Sequence, residues 1–532
     1  MLVDSFDPLG NLYLSSVVAA IPIILFLTLL TVMKVKGINA SWITLVVTTL
    51  IAMLVFNLNL EQTSGSILQG VIIGLFPIGY IITMAIWLYK VTLESGKFDI
   101  IQDSIIQITA DQRVQFLLIG FCLNAFLEGA AGFGVPIAIC AVLLVQLGFK
   151  PLEAAMLCLI ANGSSGAFGA IGIPVAIVDT FNLEGISALE VSQMSALTLP
   201  IINFVIPALL IFIIDGFKGI KETLPAILTA SIIFTISQVV ITVFMGPELA
   251  DIFPSLFAMI GIAILSRFWQ PKNTFRLSDE EIETKAHPIG TIAKAWSPFI
   301  LLTVLILIWS VPQIADLLAK STVTIPLPGG LESPINLIGA TGTALLLAVI
   351  ITILTSPTVS IGEGFNLLMK SIKELWIPIL TISLILAIAK VTTYSGMIAA
   401  LGQVASKTGA IFPLLSPVLG WIGVFMTGSV VNNNTLFAGI QATAASNMGV
   451  NGNLLVAANT VGGSIGKLIS PQSIAIATAA VNKTGEESAL LKMTMKYSIA
   501  LLIFLCIWTF ALTMFICLLY TSDAADDSLR VD

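Results

Sequence analysis

Asparagine, serine, glycine and proline recur at two corresponding places in otherwise apolar sequence. Residues 161–174 read ANGSSGAFGAIGIP, and residues 458–471 read ANTVGGSIGKLISP. At a constant offset of 297 residues the Ala-Asn pair, two glycines and the proline coincide. Irregular backbone at membrane depth is tolerated only where it is buried in protein or lines a cavity. The sequence therefore predicts two interrupted helices that share a polar cavity.

Interrupted helices of this kind are suited to binding an anion. The N-terminus of a half-helix carries about +0.5 of a charge, and in secondary transporters such ends face anionic groups of the substrate. Glycine also lets the backbone approach a ligand closely. We expect an anion site between the two halves of the chain. The alternative is that the glycines only permit close helix packing, and the small-xxx-small spacing of Gly462 and Gly466 fits that alternative.

Two ionisable residues fall within these apolar segments, where charge is costly. A lysine at the centre of a spanning helix costs at least about 2.5–3.5 kcal/mol. Lys467 is therefore expected to attract a carboxylate substrate or, alternatively, to form an internal ion pair or to snorkel. Glu128 is the only carboxylate in the glycine-rich segment 128–136. It is expected to carry a proton across the membrane or, alternatively, to act structurally, in a helix cap or in an ion pair with Lys467.

Amide and hydroxyl side chains complete the candidate site. We expect them to hydrogen-bond the hydroxyl or carboxylate of a substrate; the alternative is that they satisfy the exposed backbone of their own segments. The candidate substrate-binding residues are Asn162, Ser164, Ser165, Ser429, Asn432, Asn433, Asn434, Asn459, Lys467, Ser470 and Gln472, with Glu128 as the proton-coupling residue.

The composition places these residues in a membrane protein. Of the 532 residues, 57% are hydrophobic and 10% are charged, whereas a soluble domain has roughly 25% charged residues. The mean hydropathy is +1.03. The net charge is −7, and no basic stripe indicates a nucleic acid. The five cysteines lie far apart in the sequence, and His287 is the single histidine. The sequence therefore lacks the cysteine or histidine spacing of a metal site, and we expect no metal and no cofactor.

Apolar segments long enough to cross a bilayer recur along the chain. Ten are predicted, over residues 12–33, 38–58, 66–89, 194–214, 223–245, 252–266, 296–315, 335–355, 376–389 and 497–516. Two re-entrant hairpins, 114–149 and 411–449, precede two interrupted crossings, 152–180 and 454–481. The predicted fold class is an all-α polytopic membrane protein with about 12 transmembrane helices plus two re-entrant helical hairpins.

Lysine and arginine orient this path, because they concentrate in cytoplasmic loops. Of the 23 basic residues, 18 fall in alternate loops on one face. The N-terminal segment and the loops near Glu61, 184–190 and 248–251 contain none. The N-terminus is therefore predicted outside, with the first hairpin dipping in from the cytoplasmic face and the second from the opposite face.

The two halves are predicted to form an inverted repeat. KVTLESG at 90–96 matches KVTTYSG at 390–396 at an offset of 300, and FLEG at 126–129 matches FMTG at 425–428 at 299. Matching segments cross in opposite directions, as an inverted repeat requires. The predicted units are N-terminal helices 1–65, a first repeat 66–215, connecting helices 216–355 with a cytoplasmic loop 267–295, and a second repeat 356–516.

The last segment, 517–532, begins CLLYTSDAADD, which resembles a translated sequencing adapter. We predict a non-native tail here, leave it out of the fold prediction and expect the natural C-terminus to be missing.

At these motifs the chain resembles the lactate permease family, which includes lactate and glycolate transporters. The resemblance covers nearly the whole chain up to the suspect tail. It rests on EGAAGFG at 128–134, GWIGVF followed by TGS within 420–429, VAAN at 456–459 and GKLISPQS at 466–473.

The resemblance implies proton symport of 2-hydroxymonocarboxylates (L-lactate, D-lactate, glycolate) across a bacterial inner membrane. It also implies kinship with inverted-repeat, two-hairpin carriers of the ion-transporter superfamily, with elevator-type movement. The residues on the family's motifs are Glu128, Asn459, Lys467, Ser470 and Gln472. This chain departs from the family pattern at Val430 and Val431, where Asp-Thr is expected to follow Ser429.

The expected partners are a small carboxylate, protons and the lipid bilayer, without nucleic acid; a homo-oligomer is compatible with the sequence. The alternative transporter is a sodium-coupled carrier of another organic anion. A channel and an intramembrane enzyme are alternatives of other classes. We expect no enzyme, since an enzyme would need a nucleophile–base pair or a metal cluster, and no HExxH-type motif occurs.

Overall fold

The protein is a bundle of apolar helices. The computed structural model describes residues 2, 5–277, 285–309 and 311–528, and it is 79% helical. Nine described helices are long and apolar enough to cross a membrane, or ten if the bent pair Pro151–Asn162 and Gly166–Phe181 is one span. A helical, multi-pass membrane protein is therefore confirmed, while the count of about 12 crossings stays a prediction.

Thirteen α-helices make up the first half of the described chain. They are α1 (Leu12–Thr31), α2 (Gly37–Leu54), α3 (Leu60–Ile73), α4 (Tyr80–Glu94), α5 (Lys97–Ile106), α6 (Gln112–Phe116), α7 (Asn124–Ala130), α8 (Val135–Gln146), α9 (Pro151–Asn162), α10 (Gly169–Ala176), α11 (Ala188–Thr198), α12 (Pro200–Phe244) and α13 (Ile252–Phe268). π-Helical turns join α3 to α4 (Gly74–Gly79) and α6 to α7 (Leu117–Leu123), and 3₁₀ turns flank α10 (Gly166–Phe168, Ile177–Phe181).

The second half adds ten α-helices and two strands. They are α14 (Ile289–Trp309), α15 (Pro312–Ala319), β1 (Val323–Leu327), β2 (Leu331–Ile335), α16 (Thr341–Leu354), α17 (Ile361–Tyr394), α18 (Met397–Ser406), α19 (Phe412–Thr427), α20 (Val430–Met448), α21 (Gly452–Lys467), α22 (Pro471–Ala480) and α23 (Glu487–Ser528). Two further 3₁₀ turns cover Pro328–Gly330 and Gly409–Ile411.

The strands are a departure from the predicted all-α fold. β1 and β2 pair antiparallel, with Val323 opposite Ile335 and Leu327 opposite Leu331. Closely spaced prolines and glycines in this segment oppose a helix, because proline lacks the backbone donor that helices need. At the far end, α23 continues to Ser528 through the tail that we predicted to be non-native, and residues 529–532 lie outside the described residues.

Both segments predicted as hairpins are helix pairs joined by a short break. In the first, α7 packs against α8 across residues 131–134, where Gly132, Phe133 and Gly134 have positive φ. In the second, α19 packs against α20 across Gly428 and Ser429. Their re-entrant course and the inverted repeat stay predictions.

The first hairpin lies in the interior of the protein. Every residue of the apolar segment Gln112–Ala130 is buried, whereas only 28% of the apolar window of α23 is buried. A helix that does not face lipid can carry polar and charged side chains wherever the protein supplies partners for them. This segment can therefore hold Glu128.

Arg113 fastens the start of this hairpin to two other parts of the chain. Its guanidinium is fully buried and contacts Asp111 at 2.8 Å, Asp215 at 2.7 Å and Glu222 at 2.8 Å. It also donates to the carbonyl oxygen of Asn273 at 2.9 Å. Asp215 belongs to the point where α12 deviates from helical geometry. The arginine thus joins the first hairpin, the bend of α12 and the segment after α13.

Replacing Arg113→Leu should strongly destabilise the protein, because buried Asp111 and two half-buried carboxylates would lose their cation. Removing one partner of a buried ion pair costs about 3–5 kcal/mol. We expect a loss of that size in the free energy of unfolding, measured by chemical denaturation in detergent. The control is Lys150→Leu, because its pair with Glu153 is exposed. A loss no larger than that of the control would contradict the role of Arg113.

Candidate functional site

A cavity of about 620 Å³ lies where the two hairpins and the two interrupted helices meet. Its wall includes residues 132–134 of the first hairpin, residues 427–432 of the second hairpin, and parts of α10, α21 and α22. The start of α2 and residues of α17 between Leu375 and Ile382 form the remaining wall. All four elements that the sequence singled out therefore surround one space.

An ion pair stands on the cavity wall. Lys467 Nζ lies 2.6 Å from Glu128 Oε1, and the two side chains are 9% and 2% exposed. The second carboxylate oxygen, Oε2, accepts a hydrogen bond of 2.9 Å from Asn162 Nδ2. The internal ion pair, which the sequence left as an alternative for both residues, is present in the structure. It does not exclude a functional role, since both side chains face the cavity.

The pair is balanced as long as both members are charged. Removing a carboxylate and an ammonium from water costs several kcal/mol per ion, and their mutual attraction offsets this only with good geometry and further hydrogen bonds. An incoming carboxylate would compete with Glu128 for the ammonium of Lys467. Glu128 would then be a buried anion without its cation unless it took up a proton. The arrangement can therefore link anion binding to protonation.

Three helix N-termini also face the cavity, at Gly134 before α8, at Ser429–Asn432 of α20, and at Gln472 and Ser473 of α22. Ser429 Oγ accepts from the backbone N–H of Asn432 at 3.3 Å. Ser470 caps α22 in the same way. Because each N-terminus carries a partial positive charge, the cavity is biased towards anions.

Five of the twelve predicted site residues lie on the cavity wall: Glu128, Ser429, Asn432, Lys467 and Gln472. The other seven are buried behind it: Asn162, Ser164, Ser165, Asn433, Asn434, Asn459 and Ser470. The roles of all twelve in transport stay predictions.

Asn434 links the second hairpin to both interrupted helices. Its Nδ2 donates to the carbonyl oxygen of Pro174 at 2.7 Å and to Thr460 Oγ1 at 2.8 Å. Its Oδ1 accepts from Asn459 Nδ2 at 2.9 Å. Asn434 thereby supplies a donor to a carbonyl of α10, and not to the backbone of its own hairpin as the alternative interpretation had it. This buried network determines how the hairpin sits against the cavity.

The two aligned motifs share one break, and the first motif has an additional break before it. In the first, α9 ends at Asn162, and three consecutive residues, Ala170, Ile171 and Gly172, have φ of 47°, 59° and 70°. In the second, α21 remains helical through Lys467 and the chain breaks at residues 468–470. At the offset of 297 residues, 468–470 correspond to 171–173, so this break coincides with the left-handed stretch of the first motif, and the earlier break after Asn162 has no counterpart.

Packing explains the continuous second helix. A Cβ at Gly462 would collide with the carbonyl of Pro417, and one at Gly466 with the carbonyl of Trp421. Gly420 of α19 in turn packs on the carbonyl of Asn459. The glycines of the second motif let α19 and α21 approach backbone to backbone, which is the packing role that the sequence left open.

Sequence reasoning missed several groups around the site. Lys36, directly before α2, and Thr381 of α17 line the cavity, although neither segment carried a motif. Asp251 is buried near the Glu128–Lys467 pair but belongs to a loop that was assigned to the outside. A short loop whose carboxylates, Glu248 and Asp251, match no motif carries no sequence signal for such a position.

These observations define a class of protein. It is a multi-pass helical membrane protein in which interrupted helices enclose a cavity with an ion pair on its wall. The family model described as L-lactate permease matches residues 15–329 and 330–516. The chain belongs to the L-lactate permease family, which confirms the resemblance noted from its motifs.

Similar proteins extend over almost the same length. An L-lactate permease of Halalkalibacterium halodurans is 58% identical over 97% of this chain and 100% of that protein. An L-lactate permease of Escherichia coli K12 is 42% identical over 95% and 96%. The glycolate permease GlcA of the same strain is 41% identical over 93% and 95%.

Gly169 offers a way to disturb the ion pair without changing charge. A Cβ there would collide with the carboxylate of Glu128, while its backbone (φ −57°, ψ 155°) suits any residue. We expect Gly169→Ala to displace Glu128 and to lower the free energy of unfolding by about 1.5–3 kcal/mol, as for a hydrogen bond to a charged group.

The matched control is Gly362→Ala, since a Cβ at Gly362 meets no described atom within 4 Å. Both variants would be unfolded chemically in detergent beside the wild type. Equal stabilities for the two variants would show that Glu128 tolerates displacement.

Proposed function

We propose that this protein takes up 2-hydroxymonocarboxylates such as L-lactate, D-lactate and glycolate by proton symport across the bacterial plasma membrane. The substrate class is supported by relatives named lactate and glycolate permeases that align over nearly the full chain. The cavity supports it independently, since an ammonium and three helix N-termini suit a small carboxylate.

The observation that carries the proposal is the Glu128–Lys467 pair on the cavity wall. The substrate carboxylate binds Lys467 and separates it from Glu128. Two carboxylates then share one ammonium, so Glu128 takes a proton to restore neutrality. Release of the substrate on the other side lets Glu128 lose the proton and pair again with Lys467. One anion and one proton cross together.

The remaining cavity residues would recognise the rest of the substrate. Ser429, Asn432 and Gln472 offer hydroxyl and amide groups for the 2-hydroxyl and the second carboxylate oxygen. Val430 and Val431 also line the cavity, where the family pattern led us to expect Asp-Thr. They add no second anion and provide an apolar surface for a methyl group. The predicted site residues behind the wall would hold this lining in place.

The driving force follows from the charges. A monocarboxylate and a proton together carry no net charge, so the membrane potential does no work on them. Uptake would be driven by the pH gradient, at about 1.36 kcal/mol per pH unit, and by the substrate gradient.

The direction of access follows from the predicted orientation. Lys36, which the basic-residue pattern places at the cytoplasmic face, lines the cavity. We infer an inward-facing state with the N-terminus outside. In the elevator-type movement that we propose, the two hairpins and interrupted helices, built as inverted repeats, would move against α2 and α17.

Proteoliposomes test the coupling ion and the role of Glu128 together. An inside-alkaline pH gradient should drive accumulation of labelled L-lactate by the wild type, and a sodium gradient should not. Glu128→Gln keeps the side-chain shape, and its amide oxygen can still accept a hydrogen bond from Lys467, but it cannot exchange a proton. It should lose pH-driven accumulation yet continue lactate counterflow, in which no net proton movement is needed.

Two results would count against these assignments. Stimulation by sodium alone would reject proton symport and favour the sodium-coupled carrier. A pH profile of Glu128→Gln identical to that of the wild type would show that Glu128 is not the proton carrier.

Lys467 is best tested in a charge-balanced background. Lys467→Ala alone would leave Glu128 buried without its cation, at a cost of about 3–5 kcal/mol. The double variant Lys467→Ala/Glu128→Gln removes both charges, so it should reach the membrane at wild-type levels. We expect it to show no lactate uptake and no counterflow, whereas Glu128→Gln alone keeps counterflow. Normal counterflow in the double variant would place the substrate carboxylate elsewhere.

A further inference from the structure

Asp251 is a second buried carboxyl group beside the first hairpin, and the transport scheme above does not use it. Its residue is 1% exposed. It packs on the backbone of the hairpin at Gly129, where any Cβ would collide with Asp251 Cβ. Gly129 follows Glu128 directly, so Asp251 packs against the residue next to the carboxylate of the ion pair.

The position of Asp251 resembles a helix cap, but its contacts do not fit that role. Asp251 precedes α13 as its N-cap residue, yet its side chain makes no capping hydrogen bond within the described structure. The carboxyl is turned towards α12 instead. Gln238 Nε2 donates to Asp251 Oδ1 at 3.2 Å and to the carbonyl oxygen of Ala250 at 3.1 Å. The side chain of Asp251 therefore does not cap α13.

The hydrogen bonds distinguish the two oxygens. The carbonyl of Ala250 can only accept, so Gln238 must present its NH₂ group to it and thereby to Asp251 Oδ1. The amide of Gln238 is held from behind by Asn203, whose Nδ2 donates to Gln238 Oε1. Oδ2 has no hydrogen-bond partner among the described residues. A metal cation is disfavoured at Oδ1 because an N–H group points at it, whereas Oδ2 can bear a proton.

Burial favours the protonated form of Asp251, and the negative charge of Glu128 adds to it. The charged groups that interact with it are Glu128 from α7 and Lys467 from α21. The side of α12 presents the neutral Gln238 and Asn203. Lys467 is already paired with Glu128 at 2.6 Å, so an ionised Asp251 would be a buried anion without a cation of its own. Burying such a charge is costly unless it is neutralised.

We propose that Asp251 is a second proton-carrying carboxyl of the transport site, protonated while the Glu128–Lys467 pair is intact and supplying the proton that Glu128 takes up. This inference rests on the proposed proton-coupled transport. When a substrate carboxylate engages Lys467, the O–H bond at Asp251 Oδ2 breaks, the proton passes to Glu128 through water that enters the cavity with the substrate, and an O–H bond forms at Glu128. A proton from water then restores the acid at Asp251. The cycle still moves one proton with one anion.

Asp251→Asn is the direct test, because an amide copies the neutral acid in size and charge but cannot release a proton. In proteoliposomes this variant should keep lactate counterflow and lose pH-gradient-driven accumulation by about tenfold or more, as expected when a proton-transfer group is removed. The dependence of its uptake on pH should flatten. Asp251→Glu should restore pH-driven uptake. The control is Asp99→Asn, the same change at an exposed position of α5.

The outcomes separate this inference from the proposed function. If the wild type accumulates lactate in a pH gradient and Asp251→Asn has the wild-type pH profile, Asp251 carries no proton and the inference is overturned. If the wild type itself fails to respond to a pH gradient, the proposed symport is wrong and the coupling role of Asp251 falls with it.

Infrared spectroscopy of the wild type decides the matter if the variant fails to fold. With ¹³C-labelled aspartate carboxyls, a protonated buried aspartic acid gives a shifted C=O band at neutral pH. We expect such a band in the substrate-free protein and a change in it when lactate is added. A spectrum that shows only ionised aspartates, with and without lactate, would overturn the inference.

Discussion

The site depends on one buried ion pair between residues that are 339 positions apart in the chain. Neither charge could stay buried alone, because an uncompensated charge in a protein interior costs several kcal/mol. Glu128 comes from the first hairpin and Lys467 from the end of α21, so the pair requires these two elements to meet. Asn162 of α9 also donates a hydrogen bond to the carboxylate of Glu128. The pair therefore fixes where the two halves of the chain come together.

The two halves reach this meeting point by different backbone solutions. The first interrupted helix leaves helical geometry after Asn162 and passes through three residues in the left-handed region. The second keeps α21 intact to Lys467 and uses glycines to bring α19 against it, backbone to backbone. A positive φ changes the direction of the chain, whereas a missing Cβ changes how closely helices approach. The glycines of the two similar motifs therefore have different structural roles: a change of chain direction in the first and close helix packing in the second.

Two of the buried cations among the described residues, Arg113 and Lys467, have different surroundings. Arg113 is enclosed by carboxylates and a carbonyl and is absent from the cavity wall. Its contacts are strong because each donor has an acceptor, and they suit a permanent fastening. Lys467 has one carboxylate partner and lines the cavity. An anion entering the cavity can reach Lys467 but not Arg113, so access rather than charge distinguishes the cation that we propose to bind substrate from the structural one.

Local sequence determined the class of protein, the positions of both hairpins and the family. Hydropathy over windows of about 20 residues identifies apolar segments long enough to cross a membrane. The glycines at the hairpin breaks, Gly132–Gly134 and Gly428, can be recognised within such short windows as well. Long-range pairing decided the rest. Only the folded chain showed that Lys467 faces Glu128, that Gly462 and Gly466 pack rather than break, and that Asp251 lies beside the site. These facts depend on contacts between residues that lie hundreds of positions apart in the chain. A local sequence pattern does not specify which distant segment will pack against it.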